Sequence, residues 1–217
     1  MSLDYDPVHH TYKVGDVSLE SVTRHVSRHK TITTEGLLMK KFKLCIDDVA
    51  KALTIDHSDV FKELAVWKDK LKVAQDRGTA IHANIQDAFD KVKNNVAVTD
   101  PTALMLLEWI RVNEYEIISY EQAIFNEKMC MAGTYDAILG KGGKMYLVDW
   151  KTCRKIDTTS QVKMLKPYHK LDDCNYSHYS LQLHLYKKML AGYKIYIENC
   201  LIVHISDVIT VHKAISL

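Results

Sequence analysis

The hydrophobic pattern of the 217-residue chain changes its period near residue 117. Upstream, apolar residues recur every three or four positions, which predicts helices. Downstream lie three short segments rich in β-branched and aromatic residues, at 117–125, 131–139 and 144–150, with Lys141-Gly142-Gly143 as a turn between the last two. Helices followed by such a strand unit predict an α/β fold with a central mixed β-sheet flanked by helices.

The upstream region begins with an alternating stretch around Gly15-Asp16, which predicts a short hairpin. An apolar stripe at helical spacing starts at Ser58, and the glycine at Gly78 predicts a break between two helices. Asp100-Pro101 then opens a third helix, because aspartate caps a helix start and proline is tolerated in its first turn.

The rest of the chain completes the sheet. Four later elements are predicted: a loop over 154–176, a helix through 181–190, and strands at 200–205 and 208–212. No repeat and no Pro/Gly/Ser-rich linker divides the chain, so we expect one domain over 1–217. Within it, about 1–115 is predicted to be mainly helical and about 116–217 to form the sheet core with the candidate catalytic motifs.

Composition restricts the class of protein. Hydrophobic residues make up 47% of the chain and charged residues 26%, which argues against wholesale disorder and is typical of a folded, water-soluble domain. The net charge of +2 neither requires nor excludes a nucleic-acid partner. Five cysteines without a CxxC pair predict reduced thiols in an intracellular, reducing compartment, the cytoplasm or, for a viral protein, the host cytoplasm. We see no secretory or membrane-spanning segment and expect no membrane partner.

Charged side chains interrupt the apolar run of the last predicted strand in the unit. Strand side chains alternate, so Asp149 and Lys151 should project from one face and Val148 and Trp150 from the other. Asp136 lies across a tight turn, where cross-strand pairing would bring its carboxylate close to that of Asp149. Two carboxylates that close repel each other unless a cation lies between them.

Paired carboxylates beside a lysine suit Mg²⁺ or Mn²⁺ and the hydrolysis of a phosphodiester, in which the lysine orients or helps to deprotonate the attacking water. The alternative is a solvated Asp149–Lys151 pair on an edge strand, with Asp136 as a turn residue. That is the commoner arrangement for an isolated D-x-K. The four apolar or aromatic residues before Asp149 favour a central strand, where a bare charge is costly.

Four short motifs follow one another in a familiar order. They are Gly78-x-x-x-His82, Gly133-x-x-Asp136, Asp149-x-Lys151 and Gln182-x-x-x-Tyr186. Together they resemble the PD-(D/E)XK nuclease superfamily in its RecB-like branch, and Ser21-Val22-Thr23 and Trp67-Lys68 are also similar to mitochondrial genome-maintenance exonucleases and related phage nucleases. The resemblance spans about residues 4–192 and implies a restriction-endonuclease-like core with a helical N-terminal region.

The resemblance implies a role for each matched residue. Asp136 and Asp149 would be catalytic metal ligands, the backbone carbonyl of Val148 a further ligand, and Lys151 the catalytic lysine. His82 would reach the same metal from its helix, although a lone histidine beside an apolar stripe is more often a packed residue. The implied ion is Mg²⁺, with Mn²⁺ as its substitute. The cysteine spacing of the iron–sulfur relatives is missing, so no iron–sulfur cluster is expected.

Three further residues are candidates for the same site. Gln182 and Tyr186 share one helix face, and the resemblance makes them substrate-binding groups, whereas a polar edge of an amphipathic helix would look alike. Glu121 resembles the acidic residue of the preceding strand in the family. An outer metal ligand and an exposed strand residue are equally consistent with it.

Basic residues with interleaved rings are a candidate nucleic-acid surface, though a solvated loop has the same composition. They are Lys128, Arg154, Lys155, Lys163, Lys166, Tyr168, His169 and Lys170.

The sequence therefore favours a Mg²⁺-dependent exodeoxyribonuclease. It would act on single-stranded or end-frayed DNA in phage, viral or cellular recombination, repair or replication, with replication or recombination proteins as candidate partners. Two alternatives stay open. One is a catalytically inactive nucleic-acid-binding subunit, and the other is a structure-selective endonuclease such as a junction resolvase.

Overall fold

The computed structural model describes residues 3–6, 11–31 and 58–217, without the side chains of 58–64 and 67–68. Cys45 and the side chains of Trp67-Lys68 lie outside the described part.

Strands and helices alternate in groups along the chain. The strands are β1 (Leu3–Asp6), β2 (Thr11–Val14), β3 (Val17–Ser21), β4 (Glu116–Asn126), β5 (Met131–Lys141), β6 (Lys144–Lys151), β7 (Ile197–Ile205) and β8 (Ile209–Lys213). The helices are α1 (Val22–Arg28), α2 (Ser58–Lys93), α3 (Pro101–Val112) and α4 (Asn175–Gly192), and a 3₁₀ turn covers Glu127–Met129. Within the described residues, none of the helices is long and apolar enough to cross a membrane.

The described strands form one mixed sheet. Their order is β1-β2-β3-β5-β6-β7-β8, with β4 paired to β5. The β3–β5 and β6–β7 pairs are parallel and the others antiparallel. The predicted α/β fold, a central mixed sheet flanked by helices, is confirmed.

The beginning of the chain is not helical, which corrects one part of that prediction. Three strands come first, and β3 joins the main sheet through its pairing with β5. The hairpin expected around Gly15-Asp16 is present between β2 and β3, and Gly15 takes the positive φ of 57° that its turn requires. Buried Tyr12 and Leu19 face each other across this hairpin and cover Ala132, so the short alternating stretch supplies a core surface.

The sheet forks beside β5. One edge of β5 pairs with β4 along its length, so β3 and β6 must share the other edge. β3 pairs only at Met131 and Ala132, and the β6 ladder begins at Ala137. Residues 133–136, which include the Gly133-x-x-Asp136 motif, therefore lie in a gap between two neighbouring strands.

Each face of the sheet packs against its own helices. Val148 and Trp150 of β6 belong to the core cluster of α2 and α3, whereas Leu147 belongs to the cluster of α1 and α4. The predicted alternation of β6 is therefore confirmed, and Asp149 and Lys151 face α4. Trp150 is 1% exposed, and burial of a large apolar side chain contributes about 2–3 kcal/mol to the free energy of unfolding.

Helix α2 is continuous, so the predicted break at Gly78 is wrong. An interior glycine costs a helix only about 1 kcal/mol relative to alanine. The packing of Ile85 and Phe89 in the core is worth more than that. Gly78 also lies close to the end of β6, because a Cβ atom built on it would stand 3.4 Å from Thr152 Oγ1.

Substitutions at Gly78 test this close approach. We expect Gly78→Ala to raise the free energy of unfolding by up to about 1 kcal/mol, because alanine favours a helix and its Cβ atom just fits. Gly78→Val should instead lower it by about 1–2 kcal/mol, because a branched side chain meets Thr152. Urea denaturation of both variants checks the opposite signs. Equal effects of the two substitutions would contradict the packing described.

Candidate metal centre

Three metal-ligating side chains from three elements converge at the fork. His82 comes from α2, Glu121 from β4 and Asp136 from β5, and one ligand atom of each lies within 4.8 Å of the other two. His82 Nδ1 lies 3.7 Å from Asp136 Oδ1 and 3.9 Å from Glu121 Oε1. The sheet brings the two carboxylates together, since Glu121 lies between the Tyr120–Ala137 and Gln122–Tyr135 pairs, opposite Asp136.

The hydrogen bond of His82 Nε2 determines which nitrogen of the imidazole carries the proton. His82 Nε2 lies 3.0 Å from the backbone carbonyl oxygen of Trp150, and a carbonyl oxygen only accepts, so Nε2 carries the proton. In the neutral ring Nδ1 then presents a lone pair to two carboxylate oxygens. Three electron-rich atoms that face one another are stabilised by a cation or a proton between them. A histidine that donates its other N–H to a backbone carbonyl is also the usual arrangement of a metal ligand.

The backbone of Trp150 holds two of these side chains at once. Its carbonyl accepts from His82, and its N–H donates to Asp136 Oδ2 at 2.7 Å. The Asp136 carboxylate thereby takes the place of a strand partner just beyond the Ala137–Val148 pair, where the β5–β6 ladder ends. Asp136 Oδ1 remains free to face His82.

Both strands that carry carboxylates are irregular at this point. Glu121 has a φ of 47°, in the left-handed region that a glutamate rarely adopts. In β5, Met131 and Tyr135 pack on the α1–α4 side, whereas Ala137 and Leu139 pack on the α2–α3 side, so the alternation reverses around Asp136. The local bend lets groups from both sides of the sheet meet at one place, and strain of this kind is frequent at functional sites.

Burial changes the ionisation of the carboxyl groups. Desolvation and the neighbouring Asp136 carboxylate raise the pKa of Glu121 to about 7, against the opposing effect of His82. Desolvation also raises the pKa of Asp149 to about 6, with a further increase from Asp136 and a decrease from Lys151. Protons and metal ions therefore compete for these groups near neutral pH.

Asp149 and Lys151 form a buried pair beside the cluster. Lys151 Nζ donates to Asp149 Oδ1 at 2.8 Å and lies 2.7 Å from Oδ2. Oδ2 is buried and makes no hydrogen bond, so its contact with the Lys151 ammonium is the charge-pair interaction alone. Burial favours the neutral amine of Lys151, but Asp149 and Asp136 outweigh it and raise the pKa of Lys151. The side chain therefore carries its positive charge at neutral pH.

Helix α4 closes the other side of the fork. The Lys151 ammonium lies 4.7 Å from the centre of the Tyr179 ring, a cation–π contact. Tyr186 is buried, and desolvation followed by the charge of Asp136 raises its pKa well above the usual value. Gln182 stands next to the Tyr186 hydroxyl. The two motif residues predicted to act together on one helix face are thus neighbours.

Gly133 is the place where β5 and α4 touch. A Cβ atom built on it would stand 2.7 Å from both Oη and Cε1 of Tyr186, closer than real Cβ atoms come to other atoms. Only glycine lets the phenol ring lie in the gap between β3 and β6. Gly133 and Tyr186, from two different motifs, therefore form a single packing unit.

The structure thus brings His82, Asp136 and Glu121 together, so Glu121 joins the cluster, while its role as a metal ligand stays a prediction. Asp149 contacts Lys151, its predicted neighbour on the same face of β6, and the charge of Asp136 acts on Asp149 as well. A close approach of the Asp136 and Asp149 carboxylates stays a prediction. The metal role of the Val148 carbonyl stays a prediction. Tyr179 was missed, although its position three residues before Gln182 places it on the same helix face.

Three residues of the candidate basic surface make contacts within the protein. Lys155 pairs with Asp157 and Lys163 with Asp172. The Tyr168 hydroxyl lies 2.9 Å from His25 Nε2, and its ring packs edge-on against His29. Tyr168 is therefore a contact between the loop and α1 and is not free to stack on a base.

Comparison with known proteins supplies no family. No protein-family model matches the chain, and no curated protein does. The solved structure of SSO0001 is similar at 21% sequence identity and a TM-score of 0.30, over 51% of this chain and 47% of that protein. This chain matches about half the length of SSO0001, and a likeness of this size carries no argument.

Replacement of Gly133 tests the Gly133–Tyr186 packing unit. We expect Gly133→Ala to lower the free energy of unfolding by about 1–3 kcal/mol, because the new methyl group overlaps the phenol ring. The same substitution made on top of Tyr186→Ala should cost much less, since the ring is gone. A double-mutant cycle measured by urea denaturation gives the coupling energy. Equal costs in both backgrounds would refute the contact.

The ionisation of Glu121 is tested by the pH dependence of stability without metal. Its pKa in the folded state is raised from 4.5 to about 7, so the folded protein holds this proton more tightly than the unfolded chain. The metal-free protein should lose stability as the pH rises from about 4.5 to 7. Glu121→Gln cannot ionise and should gain on the order of 2 kcal/mol relative to the wild type over this window.

The measurement is urea denaturation in EDTA at pH 5 and pH 8. Glu127→Gln, which removes an exposed carboxylate from the end of the same strand region, is the matched control and should show no such gain. If Glu121→Gln differed from the wild type by the same amount at both pH values, the raised pKa would be wrong.

Proposed function

We propose that this protein is a metal-dependent phosphodiester hydrolase, and specifically a DNA exonuclease that uses Mg²⁺, or Mn²⁺ in its place. One observation carries the proposal. His82 Nδ1 and the carboxylate oxygens of Glu121 and Asp136 face one another beside the charged Lys151.

The donor set fits a hard divalent cation. The two carboxylates supply the oxygen ligands that Mg²⁺ and Mn²⁺ prefer, and the imidazole nitrogen adds a softer third ligand. The three together leave positions for water and a phosphate oxygen. His82, Glu121 and Asp136 would hold the ion, and the Asp149 carboxylate, paired with the Lys151 ammonium, is the next nearby oxygen donor. The bound ion would supply polarisation of the phosphate and neutralisation of developing negative charge.

Lys151 would act as a fixed positive charge. Its raised pKa keeps the proton on Nζ at neutral pH, so the ammonium donates hydrogen bonds and does not take a proton from water. Asp149 and the Tyr179 ring hold it in place. An ammonium in this position can orient a non-bridging phosphate oxygen and stabilise the charge that forms on it.

DNA as the substrate rests on the resemblance to RecB-like nucleases. Gln182 and Tyr186 lie on the α4 face that borders the fork and would position the strand, and the partial exposure of His82 and Glu121 leaves the cluster accessible to a substrate. Action at single-stranded or frayed ends, and a role beside replication or recombination proteins, belong to the same proposal.

A nuclease assay with end-labelled single-stranded DNA and Mg²⁺ tests this function. We expect cleavage by the wild type, none in EDTA, and a loss of about 10²–10³-fold for Lys151→Gln and Asp136→Asn. Lys144→Gln changes an exposed lysine at the start of the same strand and should keep full activity. Linear DNA should be degraded and closed single-stranded circles left intact.

Metal binding is measured separately, so that an inactive protein is recognised. Calorimetric titration with Mn²⁺ should show a saturable site that Asp136→Asn and His82→Ala weaken. Strand binding and metal binding without cleavage would leave a non-catalytic binding subunit, and cleavage of closed circles would identify an endonuclease. Equal cleavage by the wild type and Lys151→Gln would defeat the proposed role of this lysine.

A further inference from the structure

A second recess lies on the side of α4 away from the metal centre. It encloses about 280 Å³ between α4, the start of β7 and the segment that follows β8. His184, Lys187 and Lys188 line it from α4, and Lys213 lines it from β8. Residues 184, 187 and 188 are spaced three or four apart and lie on the opposite helix face from Gln182 and Tyr186. The recess is therefore separate from the proposed catalytic site.

The walls of the recess are held by hydrogen bonds. The backbone N–H of Ile215 donates to Ser180 Oγ at 3.1 Å, and the N–H of Ala214 donates to the Cys200 carbonyl at 2.9 Å. The Tyr176 hydroxyl donates to the Lys213 carbonyl at 2.6 Å. These contacts attach the chain after β8 to α4 and β7, so the recess is part of the packed structure.

Positive charge in the recess exceeds negative charge. Glu198 is the one acidic residue among its lining groups, and its carboxylate bonds Lys144 at 3.0 Å. Lys187 donates to the backbone carbonyl of Glu198 at 3.3 Å. Within the described chain, Lys188 and Lys213 form no ion pair with a carboxylate.

The surroundings of His184 show the same excess of positive charge. Burial first, and then the ammonium groups of Lys188 and Lys187, lower its pKa. The imidazole is therefore neutral at physiological pH and can donate or accept a hydrogen bond. Like charges gathered in a concave site focus the field and attract an anion, whereas lysines on a convex surface are dispersed in water.

We propose that this recess binds a small phosphate monoester through Lys187, Lys188 and Lys213, with His184 as a neutral hydrogen-bonding partner. Lysine is a strong phosphate ligand as a point charge, and a dianionic phosphate matches several ammonium groups. The volume corresponds to roughly nine water molecules at about 30 Å³ each, enough for a phosphate group with a small substituent. Ala191 and Ala214 provide an apolar wall for that substituent.

The experiment is calorimetric titration of the full chain with inorganic phosphate and, separately, with deoxyadenosine monophosphate. Ionic strength is fixed with chloride, and EDTA keeps divalent ions away from the carboxylate centre. The test variant is Lys188→Gln with Lys213→Gln. The matched control is Lys70→Gln with Lys72→Gln, which removes two exposed lysines from α2.

We expect one saturable site in the wild type and in the control, weakened about tenfold or more in the test variant. Tighter binding of deoxyadenosine monophosphate than of inorganic phosphate would identify a nucleotide as the ligand class. Equal affinity for the two would identify free phosphate. Either result supports the site. Absence of saturable binding in the wild type, or equal weakening in both variants, would overturn it. Nuclease activity does not enter this measurement, so the outcome is independent of the proposed function.

Discussion

The peptide group of Trp150 connects the two sides of the candidate metal centre. Its carbonyl receives the His82 imidazole from α2, and its N–H holds the Asp136 carboxylate from β5. The indole below that peptide is buried in the core of the α2–α3 side. The packed indole of Trp150 thus fixes the backbone that positions His82 and Asp136. The hydrogen bond from His82 Nε2 to the Trp150 carbonyl also determines that this nitrogen carries the proton.

The fork in the sheet makes this arrangement possible. A continuous β5–β6 ladder would place a backbone partner where the Asp136 carboxylate now accepts from Trp150. Because the ladder stops, polar side chains satisfy the backbone groups and remain in a buried place. Burial then raises the pKa values of Glu121 and Asp149 toward neutrality, so the same geometry that gathers the ligands also sets their affinity for protons.

Much of this fold could be predicted from periodicity. Strands β4 to β8, the Asp100 cap of α3 and the faces of β6 follow from local rules of alternation and capping. The continuity of α2 through Gly78 could not, because the compensating contacts come from distant residues of the core. The sequence pattern predicted only a short hairpin where three N-terminal strands lie. Their place in the sheet depends on pairing with β5, more than a hundred residues later.

The sequence predicted which residues belong to the site better than it predicted how they are arranged. The motifs pointed to His82, Asp136 and Lys151, but the place of Glu121 in the cluster depends on a left-handed backbone that no local pattern indicates. The Asp149–Lys151 contact, in contrast, follows from the simple alternation of side chains along β6.

The Gly133–Tyr186 contact has a consequence for how this chain can change over generations. A larger residue at 133 becomes acceptable only after the ring at 186 has been reduced, because a side chain added at 133 first would overlap that ring. A smaller residue at 186 introduced first meets no such overlap. Divergent descendants should therefore acquire such replacements in a fixed historical order, with the helix position changing before the strand position.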